Sequence, residues 1–327
     1  MRKAVLTIVA IAIALGFAVS ACGGGGGGDD QANRAATAAK TAPTVSTGSG
    51  EELPRGVTAA IETEADVWGL TAEEGAVWVQ VDPPVDAVLR IDTETHEVTD
   101  RIKRGRNTAF DGESWWVARE HELVRLDDDS GKIVATIPVA ASYLAVGDGA
   151  VWASGAGLTR IDPRTNKAVA RIQLPMCVEN ADVEVGLGSA WVACKRSGTV
   201  VRIDARTNEV AATIRTGDGP HGIAIATGSV WVTNYQGDTV SRISPEKNKV
   251  VATIEDVGSG VGIAAGMGSI WVASGTGIAR IDPKTNTIAG KLDLGAGFYY
   301  GIGILDGALW VSTVDQRRVF RIDPAAF

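Results

Sequence analysis

The chain is short of the residues that build most metal and redox centres. Its 327 residues include three cysteines and three histidines. Neither Cys177 nor Cys194 has a histidine or a third cysteine near it in sequence, which argues against a metal pair. No H-E-x-x-H pair, phosphate-cradling loop or nucleophile elbow is present, so the motif-defined hydrolase and nucleotide-binding chemistries are excluded. The glycine-rich pieces read as turns. Positive charge is also scarce: 31 Lys and Arg stand against 39 Asp and Glu, which speaks against nucleic acid as a partner.

Apolar length is concentrated at the N-terminus. Arg2 and Lys3 precede an apolar stretch from Ala4 to Val19, with the charge and length of a secretory signal. The stretch is shorter than the ~20 residues of a spanning helix. Val19-Ser20-Ala21-Cys22 resembles the bacterial lipobox, and the resemblance implies that Cys22 is lipidated and becomes the mature N-terminus. Residues 1–21 are then a lipoprotein signal peptide. Residues 22–53 hold a six-glycine run followed by Ala, Thr, Ser and Gly. Such a segment buries too little apolar surface to offset its ordering entropy, so it reads as a flexible tether. The expected location is the cell envelope, on the outer side of the cytoplasmic membrane or in the periplasm, with the membrane reached through Cys22.

Residues 54–327 are repetitive. A tryptophan recurs at Trp78, Trp116, Trp152, Trp191, Trp231, Trp271 and Trp310, at steps of 36 to 40 residues. Each is followed by an R-I-D-like strand, such as Arg160-Ile161-Asp162 and Arg280-Ile281-Asp282. Short alternating strands bounded by Gly, Asn, Asp and Pro fill each unit. One unit cannot bury both faces of its sheet, so units must stack. The expectation is an all-β, seven-bladed β-propeller of four-stranded blades. The last unit lacks a fourth strand, and Gly56–Glu62 matches the fourth strand of the fifth blade. That N-terminal strand should complete the last blade and close the ring, which removes an open sheet edge. The tryptophans read as wedges between blades. The D-P-x-T-N turns read as structural, since each offers one carboxylate and not a calcium cluster. We expect a monomer.

The repeat also sorts the surface. Turns within blades repeat on one face, so function is expected on the other, irregular face. Counting back ten residues from each repeated tryptophan gives the mouth of the central channel: Trp68, Arg106 (or Gly105, if Trp115 is the register residue), Ser142, Ala181, His221, Val261 and Tyr300. The candidate binding residues on this face are Trp68, Arg106, Arg119, His121, Tyr143, Asn180, His221, Asn234, Tyr235, Tyr299 and Tyr300. Lys195, Arg196, Arg317 and Arg318 map there too. Aromatic and basic groups together favour an anionic or aromatic partner, a small molecule or a protein. No metal ligands, catalytic residues or cofactor are assigned. Glu184 stands where the other blades have small residues, and a salt bridge is expected to hold it. Cys177 and Cys194 fall toward one edge of the fourth blade and read as a disulfide in an exported protein.

"VWVTN" and "RIDPKTN" resemble the YVTN family of propeller repeats, over Gly56 to Phe327. Pro220-His221-Gly222-Ile223 is similar to a stretch in streptogramin B (virginiamycin B) lyases. Those enzymes open a cyclic depsipeptide by elimination, with a Mg²⁺ ion held by two histidines and glutamates. The resemblance would make His221 a catalytic or metal-site residue and Mg²⁺ a cofactor. Two departures count against it: Gly219 stands where the lyase has Glu, and Ala181 where the preceding blade would supply the second His. The expected function is therefore a tethered, extracytoplasmic propeller that binds a ligand or protein without turning it over. A Mg²⁺-dependent lyase and a purely structural envelope module are the alternatives.

Overall fold

Middle and outer strands carry different hydrophobic patterns, and the fold follows from the difference. Ser229–Asn234 is buried at every position, whereas Lys249–Ile254 alternates exposed and sheltered residues. A strand covered on both faces can be apolar throughout; one at a rim alternates with period two. Stacked sheets with protected centres and wet rims satisfy both. A computed structural model of the chain describes residues 52–327 apart from Glu74, Asp129 and Val178. The signal peptide and Cys22 lie outside the described residues, as does all but the end of the tether.

Seven four-stranded antiparallel sheets are arranged as the blades of a propeller. The innermost strands of blades 1 to 7 are Val67–Glu73, Gly105–Phe110, Tyr143–Gly147, Asn180–Gly186, Pro220–Ala226, Ile263–Gly266 and Tyr299–Leu305. Six blades use consecutive strands. In blade 7 the outer strand is Val57–Glu62, which pairs antiparallel with Arg318–Ile322. The D-P-x-T-N turns join third to fourth strands, and their asparagines adopt positive φ: 56° at Asn166, 62° at Asn208, 47° at Asn248 and 58° at Asn286. Asn tolerates this region better than most residues, which accounts for its recurrence.

The repeated tryptophans are core residues between blades. Trp116, Trp152, Trp191, Trp231 and Trp310 are completely buried. The arginine of the R-I-D strand explains why it recurs with them. The guanidinium of Arg125, Arg160, Arg202, Arg242 or Arg280 lies over the tryptophan of its own blade, at 5.1 to 5.4 Å from the ring centroid. In four blades it also reaches the next blade's turn. Arg125 donates to the Pro163 carbonyl at 2.6 Å, Arg160 to Asn208 Oδ1 at 3.2 Å, and Arg202 to the Pro245 carbonyl at 2.6 Å. Arg242 donates to the Pro283 carbonyl and to Asn286 Oδ1, at 3.0 and 2.8 Å. Tryptophan, arginine and turn thus form one clamp between neighbouring blades.

The clamps differ around blade 7. Among the described residues Arg280 hydrogen-bonds Ser269 of its own blade and reaches no turn of blade 7. Instead Phe327 packs edge-on against Trp271, with centroids 4.9 Å apart. On the other side His96 of blade 1 meets Trp310 at 5.9 Å. Ring contacts thus stand at both joints of blade 7, beside the Thr93–Asp306 hydrogen bond and the Arg317–Asp66 ion pair toward blade 1.

Candidate functional site

The mouth residues are presented by a repeated irregularity. In five blades the pairing of first and second strands shifts register at the mouth end: between Val67 and Leu70, Gly105 and Asn107, Asn180 and Asp182, Pro220 and Ile223, and Tyr299 and Ile302. Trp68, Arg106, Ala181, His221 and Tyr300 sit inside these bulges. A bulge re-aims a side chain that regular pleating would place elsewhere.

The residue that follows decides how closely the next blade approaches. A Cβ on Gly222, Gly262 or Gly301 would collide with the backbone of the next blade at Val261, Tyr300 or Leu70. Elsewhere a side chain spans the gap. Asn107 Oδ1 accepts from the Leu144 amide at 2.8 Å, and Asp182 Oδ2 from the Ile223 amide at 2.9 Å. Blades 5, 6, 7 and 1 therefore close tightly on one another, while Asn107 and Asp182 prop the other side of the ring.

A cavity of about 590 Å³ opens on the propped side. Trp68, Arg106, Tyr143 and Tyr300 line it, with Asp82 and Glu120 from the loops of blades 1 and 2. Its floor is a cluster of rings. Tyr300 stands edge-on to Trp68 at 5.3 Å and to His221 at 5.6 Å. Its hydroxyl lies 3.2 Å from His221 Nε2 and also meets the Tyr143 hydroxyl. Burial pushes the Tyr300 phenol up to about 12 and the His221 imidazole down to about 4, so both are neutral at pH 7. Tyr143 is pushed up more strongly, again by burial.

Further along the same strands lies a smaller cavity of about 280 Å³, into which Glu73, Asp182 and Glu184 face. The expected salt bridge at Glu184 is not formed: among the described residues no cation pairs with it. Glu73 is exposed, whereas Asp182 and Glu184 are half-buried residues whose carboxyls the protein encloses, and for these two burial dominates. It raises Asp182 to about 7, against the amides of Ile223 and Val183, which favour the carboxylate. Burial, with Asp182 and Glu73 adding like charge, raises Glu184 to about 8. Protonation relieves Glu184 where an ion pair was expected to.

The mouth is less basic than the sequence suggested. Arg119 donates to the Lys103 carbonyl and to Glu122. Lys195 and Arg196 pair with Glu179, Arg317 with Asp66, and Arg318 with Glu62. Arg106 keeps a guanidinium without an ion pair or hydrogen bond to any described residue. Of the other candidates, Tyr299 is buried between blades 6 and 7, and its hydroxyl donates to the Leu294 carbonyl at 2.9 Å. Asn234 is also buried, donating to Thr239 and Ser241 and accepting from the Gly217 amide. Asn180 donates to Ser154 Oγ and the Gly155 carbonyl. His121 is exposed beside Glu120 and Tyr235 half-buried, and neither lines the cavity. Cys177 and Cys194 are joined by a disulfide that ties the link entering blade 4 to that blade's second strand.

Fold and mouth together define a seven-bladed β-propeller with an off-centre ligand-sized cavity. Residues 177–301 match a family described as a domain of unknown function, DUF5074. No curated protein matches the sequence. Among solved structures, virginiamycin B lyase from Staphylococcus aureus is similar at a TM-score of 0.69 and 14% identity, covering 81% of this chain and 98% of the lyase. A streptogramin B lyase structure gives 0.68 and 15%, over 81% and 96% of the two chains. The WD40 repeats of RRP9 give 0.71 and 11%, over 83% and 99%. At these identities the likeness shows the fold alone.

Proposed function

We propose that this chain is a membrane-tethered, extracytoplasmic binding protein that takes a ligand or protein partner at the channel mouth without turning it over. The observation that supports this best is the mouth cavity. Its size suits a small ligand, and ring faces and polar groups converge on it. The tether and the lipid anchor at Cys22 rest on the sequence. A Cys22→Ser protein should be released from membranes or left unprocessed. A processed mutant that stays membrane-bound would remove the anchor from the proposal.

A lyase reading rests on His221 alone. That ring is 9% exposed, and its Nε2 faces a tyrosine hydroxyl. Gly219 and Ala181 stand at the positions that would complete the lyase site, so among the described residues neither a base nor a metal shell is assembled there. Incubation with a streptogramin B and Mg²⁺ should give no ring opening; turnover lost on His221→Ala would reverse this.

The binding reading is tested by a thermal-shift screen of small organic molecules and envelope extracts. Compounds that stabilise the protein should lose at least tenfold in affinity for Tyr300→Ala and Arg106→Ala. They should keep it for Lys284→Glu, on the opposite turns. A set of hits indifferent to Tyr300 and sensitive to Lys284 would place the working surface on the wrong face.

A further inference from the structure

The charges in the mouth cavity narrow the class of ligand, and this step rests on the binding reading above. Arg106 and Asp82 are both half-buried and line the same cavity from adjacent blades. Among the described residues neither charged group has an ion pair or hydrogen bond, and they do not pair with each other. Every other basic side chain expected at this face has found an acid or a carbonyl. Two opposite charges left apart on one wall are unusual, because each loses solvation without gaining a partner.

A ligand of one sign would satisfy only half of this wall. An anion bound to Arg106 would lie beside Asp82 and Glu120. A cation bound to Asp82 would face Arg106. A ligand carrying both charges meets each with its opposite, and every singly charged analogue strands one protein charge. Trp68, Tyr143 and Tyr300 add ring surface beside the two charges, suited to stacking and to holding an ammonium group over a π face.

We propose that the mouth binds an aromatic zwitterion of amino-acid type, with its carboxylate at Arg106, its ammonium at Asp82 and its ring on the Trp68–Tyr143–Tyr300 wall. Calorimetry on the full chain with three indole probes tests this: tryptophan, indole-3-propionate and tryptamine. Tryptophan should bind at least tenfold more tightly than either singly charged probe. Arg106→Gln should bring tryptophan down to the level of tryptamine, and Asp82→Asn to that of indole-3-propionate. Among the described residues neither charged group has a bonding partner to lose, so melting temperatures should be unchanged. Equal or tighter binding of a singly charged probe overturns the zwitterion assignment, as does failure of all three probes to bind. Failure here is separable from failure of the binding reading. If indole-3-propionate wins and Tyr300→Ala abolishes its binding, the mouth remains the site and only the ligand class falls.

Discussion

The guanidinium of Arg242 lies 5.1 Å from the ring centroid of Trp231 and donates 3.0 Å into the next blade, to the Pro283 carbonyl. One side chain thus serves the core of its own blade and the joint to its neighbour. A cation–π contact contributes about 0.5–2 kcal/mol, and a hydrogen bond from a charged donor about 1.5–3 kcal/mol. Arg242→Ala should therefore cost about 3 kcal/mol in chemical denaturation. Arg242→Lys should recover less than half, because an ammonium cannot stack flat and reach both acceptors. A loss below about 0.5 kcal/mol would show that the clamp is incidental.

Glu184 sets a pH dependence whose sign is fixed by the direction of its shift. Its folded pKa is raised, so the folded state holds the proton more tightly than the unfolded chain. The associated stability is fully present below about pH 4.5 and is lost as pH rises through about 8. Glu184→Gln keeps the shape and cannot ionise. It should be nearly neutral at pH 4.5 and stabilising at pH 8, by roughly 2 kcal/mol after allowing for the residue's being only half-buried. Melting curves of both proteins at the two pH values check this; a constant difference between them would remove Glu184 as the cause.

Val57–Glu62 is the outer strand of blade 7, so its loss should expose the edge of Arg318–Ile322. Deleting residues through Glu62 should cause aggregation or loss of a cooperative melt, whereas deleting through Gly50 should be harmless. Equal melting temperatures for the two truncations would show that the strand is dispensable.

The Cys177–Cys194 bond spans 17 residues. On the chain-entropy model, closing such a loop contributes about 3 kcal/mol. Reduction, or the double change to serine, should lower stability by that order. Mass spectrometry of the oxidised protein should find no free thiol among these two residues.

The repeat made the blades legible, because tryptophan, R-I-D strand and turn recur together. Counting ten residues back from each tryptophan reaches Trp68, Arg106 and Tyr300, which line the mouth cavity, since the blades share one register. Tyr299, counted with the mouth on sequence, lies buried between blades 6 and 7. Tyr300 sits in the bulge that follows Tyr299, and a bulge breaks the alternation that would otherwise sort the two side chains. No such count reaches Asp82 and Glu120. They come from loops between second and third strands, whose reach is not encoded in any repeat. The pairing of the basic residues was hidden for the same reason: Arg317 meets Asp66 and Arg318 meets Glu62 across more than 250 residues of chain. The role of the repeated arginine was equally hidden, because its acceptor belongs to the next blade.

The arginine clamps all point the same way around the ring, from one blade to the next, and this polarity stops at blade 7. At that blade Phe327 on Trp271 and His96 on Trp310 stand where the arginine clamps stand elsewhere. Arginine joints draw part of their strength from charge, whereas these two draw theirs from ring packing. Cold or chaotropic conditions should therefore loosen this sector ahead of the rest, with amide exchange rising first along Tyr299–Leu305 and Val57–Glu62.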